Sequence, residues 1–166
     1  MQINRLGMVG YGEVGKIITA GLKSQMQSVH AWDVKFVDDQ LKTAELAHAA
    51  KAGMVACASM QALCQTSNFI VSAVTASQTL AVAQAAAQHI QAGSVFLDLN
   101  SASPGTKQHA AKLIEAAGAH YIEAGVMTSI PPYGIRVPML LGGPQAAEIA
   151  PRLIALGMDA KAVSDR

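Results

Sequence analysis

Charge is what this sequence has least of. Asp, Glu, Lys and Arg make up 14% of its 166 residues while apolar residues make up 51%; about a quarter would be charged in an ordinary soluble domain. So thin a charged shell points to a large sheet covered on both faces by helices, and to a face that meets a partner domain or subunit. The net charge is +1, and with no basic run and no interleaving of aromatic with basic residues, nucleic acid is excluded as the expected partner. Uninterrupted apolar runs are missing too: none reaches the roughly 18 residues of a membrane span. The opening Met1-Gln2-Ile3-Asn4-Arg5 lacks the basic and then apolar layout of a secretory signal, so a cytoplasmic protein is expected. Cysteine is limited to Cys57 and Cys64. They stand at no metal-ligand spacing and read as small buried hydrophobes in a reducing compartment, with no metal site.

What is present is rhythm. Short apolar runs alternate with Ala-rich segments of helical period, the pattern of a mostly parallel α/β sheet. Strands are expected at Arg5 to Val9, Ser28 to Trp32, Met54 to Ala58, Phe69 to Val74, Ser94 to Leu99, His120 to Val126 and Val137 to Leu141. A further strand-like segment runs from Asp159 to Val163. Helices are expected at Glu13 to Lys23, Gln40 to Ala52, Ala76 to Ile90 and Pro104 to Ala117, with a last one between Pro144 and Leu156. In the first, Val14, Ile17, Ile18 and Leu22 form the apolar face. Gly53 suits a helix stop, and Pro104 suits a first turn, where its missing N–H is harmless.

The first strand and helix enclose Gly10-Tyr11-Gly12-Glu13-Val14-Gly15. Alone, a GxGxxG pattern is weak; between an apolar strand and an amphipathic helix it reads as a dinucleotide fingerprint. Gly10 allows a tight turn, Gly12 lets backbone approach a pyrophosphate, and Gly15 lets helix pack on strand. The helix's free N–H groups and positive dipole end then face the phosphates. Glu13 suits a helix start but repels pyrophosphate, so its side chain is expected in solvent. Asp33 ends the second strand, 23 residues after Gly10, near the spacing of the acid that accepts from the adenosine ribose hydroxyls. It favours NAD over NADP, although Lys35 weakens that preference. Asp33 as an ordinary turn residue remains the plain alternative.

Three segments carry a family resemblance: the Gly10 to Gly15 loop, Val71-Ser72-Ala73-Val74-Thr75, and Asp98-Leu99-Asn100-Ser101-Ala102-Ser103-Pro104. A fourth, from Glu123-Ala124-Gly125-Val126 through Val137 to Gly143, matches in position and character. The chain resembles the β-hydroxyacid dehydrogenases, the group of 6-phosphogluconate and 3-hydroxyisobutyrate dehydrogenases, over essentially its whole length. The resemblance implies a Rossmann-type doubly wound fold. It also implies that NAD, with NADP possible, runs from Asp33 across the glycine loop to Val74, Thr75, Ala76 and Asn100. Asn100 and Ser101 would offer polar groups to a small-molecule substrate; turning the chain and capping the Pro104 helix is their other reading. Where the family has Ser-Gly-Gly in a second substrate loop, this chain has Met127-Thr128-Ser129. Thr128 and Ser129 would supply hydroxyls there, and the acid recognised would differ. Tyr133, Arg136 and Lys107 are expected at the surface.

Family members carry a catalytic lysine on a long helix after this domain, followed by an α-helical domain. The chain reaches Arg166 before that helix, and Lys161 does not match the lysine motif. The expectation is therefore a cofactor-binding domain with no catalytic residue of its own, completed by a C-terminal helical domain and a homodimer partner. An imine reductase-like NADPH domain and a non-catalytic nucleotide-sensing module are the alternatives.

Overall fold

Parallel pairing dominates the computed structural model, which describes residues 1–166. In chain order the elements are β1 (Arg5–Val9), α1 (Glu13–Leu22), β2 (Ser28–Trp32), α2 (Lys42–Lys51), β3 (Val55–Ala56), α3 (Met60–Thr66) and β4 (Phe69–Ser72). There follow α4 (Thr79–Ala87), β5 (Val95–Asp98), α5 (Pro104–Ala116), β6 (His120–Val126), β7 (Pro138–Gly142), α6 (Ala146–Ala155) and β8 (Asp159–Ser164). The strands make one sheet in the order β3-β2-β1-β4-β5-β6-β7-β8. Every neighbouring pair is parallel except β6 and β7. This is the Rossmann-type doubly wound α/β fold. The strand order reverses between β1 and β4, the switch point beyond whose carboxyl ends ligands bind in such sheets.

Alternation along the strands builds two cores. Leu6, Met8, Phe69, Val71, Val95 and Leu97 point to one face, where Ile18 and Leu22 of α1, Ala49 of α2 and Ile149 and Leu153 of α6 cover them. Val9, Ile70 and Phe96 point to the other, under Leu63 and Cys64 of α3, Ala83 and Ala86 of α4, and Ala110 and Ile114 of α5. A sheet wrapped on both sides leaves little surface to carry charge, which accounts for the composition. No helix is long and apolar enough to cross a membrane.

The structure amends the sequence reading at several points. α3 was not expected; it is short, and its one local signal is Ser59, whose Oγ accepts the Ala62 N–H at 3.1 Å as an N-cap. α2 starts at Lys42 because Asp38 first closes a turn by accepting from the N–H groups of Gln40 and Leu41. α4 is preceded by a 3₁₀ turn, Ala76–Gln78. On α1 the buried residues are Gly15, Ile18, Thr19 and Leu22, with Val14 half-buried against the same core. Cys57 and Cys64 are free and buried, and burial pushes the Cys64 thiol up to about 12.

The segment between β6 and β7 reverses the chain, with a 3₁₀ turn at Gly134–Arg136. Tyr133 and Arg136 are exposed, as expected. Ile135 instead packs against α1 at Gly21, where an added Cβ would collide with its side chain.

Candidate functional site

The three fingerprint glycines meet three different surroundings. Gly10 adopts φ +98°, donates its N–H to Trp32 O at 2.9 Å, and has no room for a Cβ against the carbonyl of Ala73. Gly15 packs on Gly10 itself, whose carbonyl would meet its Cβ. Gly12 has nothing within 4 Å of that position. It is also the N-cap of α1, and no side chain caps it. The exposed first turn of α1 therefore turns its N–H groups and the positive end of its dipole to an open space. Glu13 is exposed, as expected.

On the β2 side, Asp33 is tied to the loop. Its Oδ2 accepts the Tyr11 N–H at 2.7 Å and its Oδ1 accepts the Lys35 N–H at 2.9 Å. Each oxygen keeps a lone pair for another donor. Lys35 Nζ donates to Tyr11 O at 2.8 Å. The Tyr11 ring is fully buried beside Phe36, centroids 5.4 Å apart, and its hydroxyl lies 2.6 Å from His48 Nδ1. Burial, then the Glu45 carboxylate, raises its pKa and keeps the phenol neutral. Of Tyr11 only the main chain faces the loop. Glu45 completes the cluster, with Oε2 3.3 Å from Lys16 Nζ and Oε1 3.6 Å from Lys35 Nζ. Sequence reasoning missed Lys16, Glu45 and His48; the last two lie on α2, which no motif marks.

On the β5 side, Asn100 is a staple. Its Oδ1 accepts the Val74 N–H at 2.7 Å, its Nδ2 donates to Ser72 Oγ at 3.0 Å, and its own N–H donates to Asp98 Oδ1 at 2.8 Å. The amide thus joins the ends of β4 and β5, which are already in register at Ser72 and Asp98. Neither Asn100 nor Ser101 caps α5: Ser103 does, accepting the Thr106 N–H at 3.2 Å. Asp98, 1% exposed, also accepts from the Tyr121 hydroxyl at 2.5 Å. Burial first, and then this carboxylate, push the Tyr121 pKa far up.

Lys107 is not at the surface. It is 5% exposed and its Nζ lies 3.7 Å from Glu123 Oε1. The cause is helical phase: Lys107, Ala110 and Ile114 form the buried stripe of α5.

Between these sides opens a cleft of about 660 Å³. Gly12, Glu13 and Val14 line it from the glycine loop, Val74, Thr75 and Ala76 from beyond β4, Asn100 and Ser101 from beyond β5, and Thr128 and Ser129 from beyond β6. The structure thus brings these expected residues onto one surface, while Gly10, Tyr11, Gly15 and Asp33 lie outside the lining. Glu13 is the one charged residue lining it. No group of three or more His, Cys, Asp or Glu side chains converges on a metal position.

Comparison with known proteins agrees with this geometry. A family model described as the NAD binding domain of 6-phosphogluconate dehydrogenase matches residues 5–155. A search of the curated proteins finds no match. Among solved structures, a conserved hypothetical protein from Sinorhizobium meliloti is 34% identical with a TM-score of 0.92, over 99% of this chain and 55% of its own. A 3-hydroxyisobutyrate dehydrogenase from Mycobacterium tuberculosis is 14% identical at a TM-score of 0.82, over 98% of this chain and 55% of its own. A reductive aminase from Aspergillus terreus, in complex with NADPH, is 21% identical at 0.77, over 99% and 56%. The chain spans about half the length of each of these structures. With the glycine loop at the switch point, an open helix start and a family match over most of its residues, the chain belongs to the family of the NAD-binding domain of 6-phosphogluconate dehydrogenase.

Proposed function

We propose that this domain holds the pyrophosphate of NAD on the Gly10 to Gly15 loop, the adenosine ribose at Asp33, and the nicotinamide beside Val74, Thr75, Ala76 and Asn100. It does so as part of an oxidoreductase acting on a small 3-hydroxy acid. The observation that carries the reading is the contrast among the glycines: Gly10 and Gly15 are closed by protein backbone, whereas Gly12 is open where a ligand backbone group would come. The residues fit the cofactor. Gly12 to Val14 offer helix-start N–H groups to phosphate oxygens, and Asp33 retains acceptor lone pairs for ribose hydroxyls.

Bound there, the nicotinamide supplies or accepts the hydride. Asn100 fixes the spacing of the β4 and β5 ends, and through it the depth of the nicotinamide pocket. Ser101, Thr128 and Ser129 present hydroxyls in the same cleft to the substrate's carboxylate or hydroxyl. The hydroxyl proton needs an acid–base group as well, which the family resemblance assigns to a lysine on a following helix. The fuller assembly includes that helical domain and a second subunit, in the cytoplasm.

Calorimetric titration with NADH and NADPH tests the reading. NADH is expected to bind more tightly; binding of neither would overturn the cofactor assignment. An imine reductase reading is favoured by one observation: no Lys, Arg or His lines the cleft to meet a carboxylate. Turnover of a cyclic imine, but of no 3-hydroxy acid, by a chain that includes the following domain would select it.

A further inference from the structure

Asp33 and Lys35 pull in opposite directions. A carboxylate at the end of β2 accepts from a ribose diol and repels a 2′-phosphate, while a cation close by is the usual means of accommodating that phosphate. A single residue, Val34, separates them, so their own positions leave the choice of cofactor balanced. The tie is broken on α2. We propose that Glu45 is a specificity-determining residue that favours NAD(H) over NADP(H) by holding Lys35 beneath the glycine loop; this rests on the cofactor reading above.

Three observations carry it. Lys35 Nζ is turned back towards the loop, donating to Tyr11 O at 2.8 Å and standing 3.6 Å from Glu45 Oε1. The second oxygen of Glu45 stands 3.3 Å from Lys16 Nζ without a hydrogen bond, so one carboxylate forms ion pairs with both lysines. The Glu45 side chain is 18% exposed, less than that of either lysine, at 31% and 26%. Water therefore screens this cluster less than it screens an open surface pair.

Counted together, Lys16 and Lys35 are balanced by Asp33 and Glu45. A balanced cluster offers no net attraction to the added charge of a 2′-phosphate, while the diol of NAD needs only acceptors, which Asp33 provides. Removing the Glu45 charge leaves the cluster net positive and Lys35 without its acid. An ordinary surface pair on a helix would stabilise α2 slightly and leave cofactor choice alone.

The test compares the protein with E45Q and with E45Q/K35M, titrating each with NADH and with NADPH in a calorimeter and checking folding by thermal melt. E45Q is expected to shift the affinity ratio about tenfold towards NADPH, the equivalent of one modest charge interaction. Adding K35M is expected to return it. A ratio that E45Q leaves unmoved, or a shift that survives K35M, would overturn the inference while NADH binding still stood.

Salt dependence of the unsubstituted protein gives a second measurement that needs no variant. Masked lysines predict equal weakening of NADH and NADPH binding as ionic strength rises. A steeper fall for NADPH would show Lys35 already free to pair with phosphate and would overturn the proposal. If neither nucleotide bound at all, the cofactor reading itself would fall, and the inference with it.

Discussion

The two sides of the glycine loop are built on opposite plans. Beyond β2, charges crowd together and are consumed internally: Asp33 holds the Tyr11 N–H, Lys35 holds the Tyr11 carbonyl, and Glu45 holds two lysines. Beyond β4 and β5, the surface is open and nearly uncharged, and the polar side chain best placed there, Asn100, ties strand ends together. One side is finished within this domain. The other is a half-surface of hydroxyls and small apolar groups, suited to be completed by other atoms. On the proposed cofactor reading, ordering the adenosine end in advance lowers what binding must supply there, whereas the nicotinamide end is left to whatever closes over it.

The largest expected effects break the hinge that both sides share. Gly15→Val drives a side chain into the Gly10 carbonyl, and a loss of about 2–4 kcal/mol in chemical denaturation is expected. Gly12→Ala meets no protein atom and should move stability by no more than about 0.5 kcal/mol, yet weaken NADH binding in calorimetry. If both variants behaved alike, the contrast among the glycines would be lost.

Next comes the β5 side. Asp98→Ala strands the buried Tyr121 hydroxyl and the Asn100 N–H together, and a loss of about 2–3 kcal/mol in urea unfolding is expected. On the β2 side, Asp33→Ser removes the proposed ribose acceptor from a less buried position, and NADH affinity is expected to fall about tenfold, with a smaller change in unfolding midpoint. An Asp33→Ser variant that lost stability and kept NADH affinity would reverse the assignment of the two sides.

The smallest effect concerns His30, in the middle of β2. Its Nδ1 is buried without a partner, and burial lowers its pKa. The unfolded chain then takes up a proton at higher pH than the folded one does. The stability that His30 contributes is complete above the ordinary histidine value of about 6.5 and declines as pH drops below it. Urea midpoints taken at about pH 8 and about pH 5.5 should differ in that direction, and His30→Gln should remove part of the difference.

How much of this was legible in the sequence divides differently, between contacts made locally and contacts made across the fold. The glycine loop could be read because its three roles are local, encoded within six residues between a strand and a helix. β2 could be bounded for the same reason, by an alternating run that ends at Asp33. The Glu45 pairs, the Tyr11–His48 contact and the Asp98–Tyr121 bond join residues from 10 to 37 positions apart, and only the packing of α2, β5 and β6 brings them together. Tyr11 shows the limit well. Its place inside the motif marks it as a cofactor contact, yet nothing local foretells that its ring lies in the core while its main chain stays in the loop. Lys107 erred the other way: its charge suggested solvent, while its place on the stripe with Ala110 and Ile114 carried it inward.

Ile135, seated on Gly21, has a mechanical consequence. The segment that presents Thr128 and Ser129 rests through Ile135 on the last turn of the same helix whose first turn meets the cleft, so the two jaws share one support. A side chain at Gly21 would push on Ile135 and so on the far jaw, at a distance from Thr128 and Ser129. A lesion on the outside of α1 would thus be felt as a change of bite at the Thr128 and Ser129 end of the cleft.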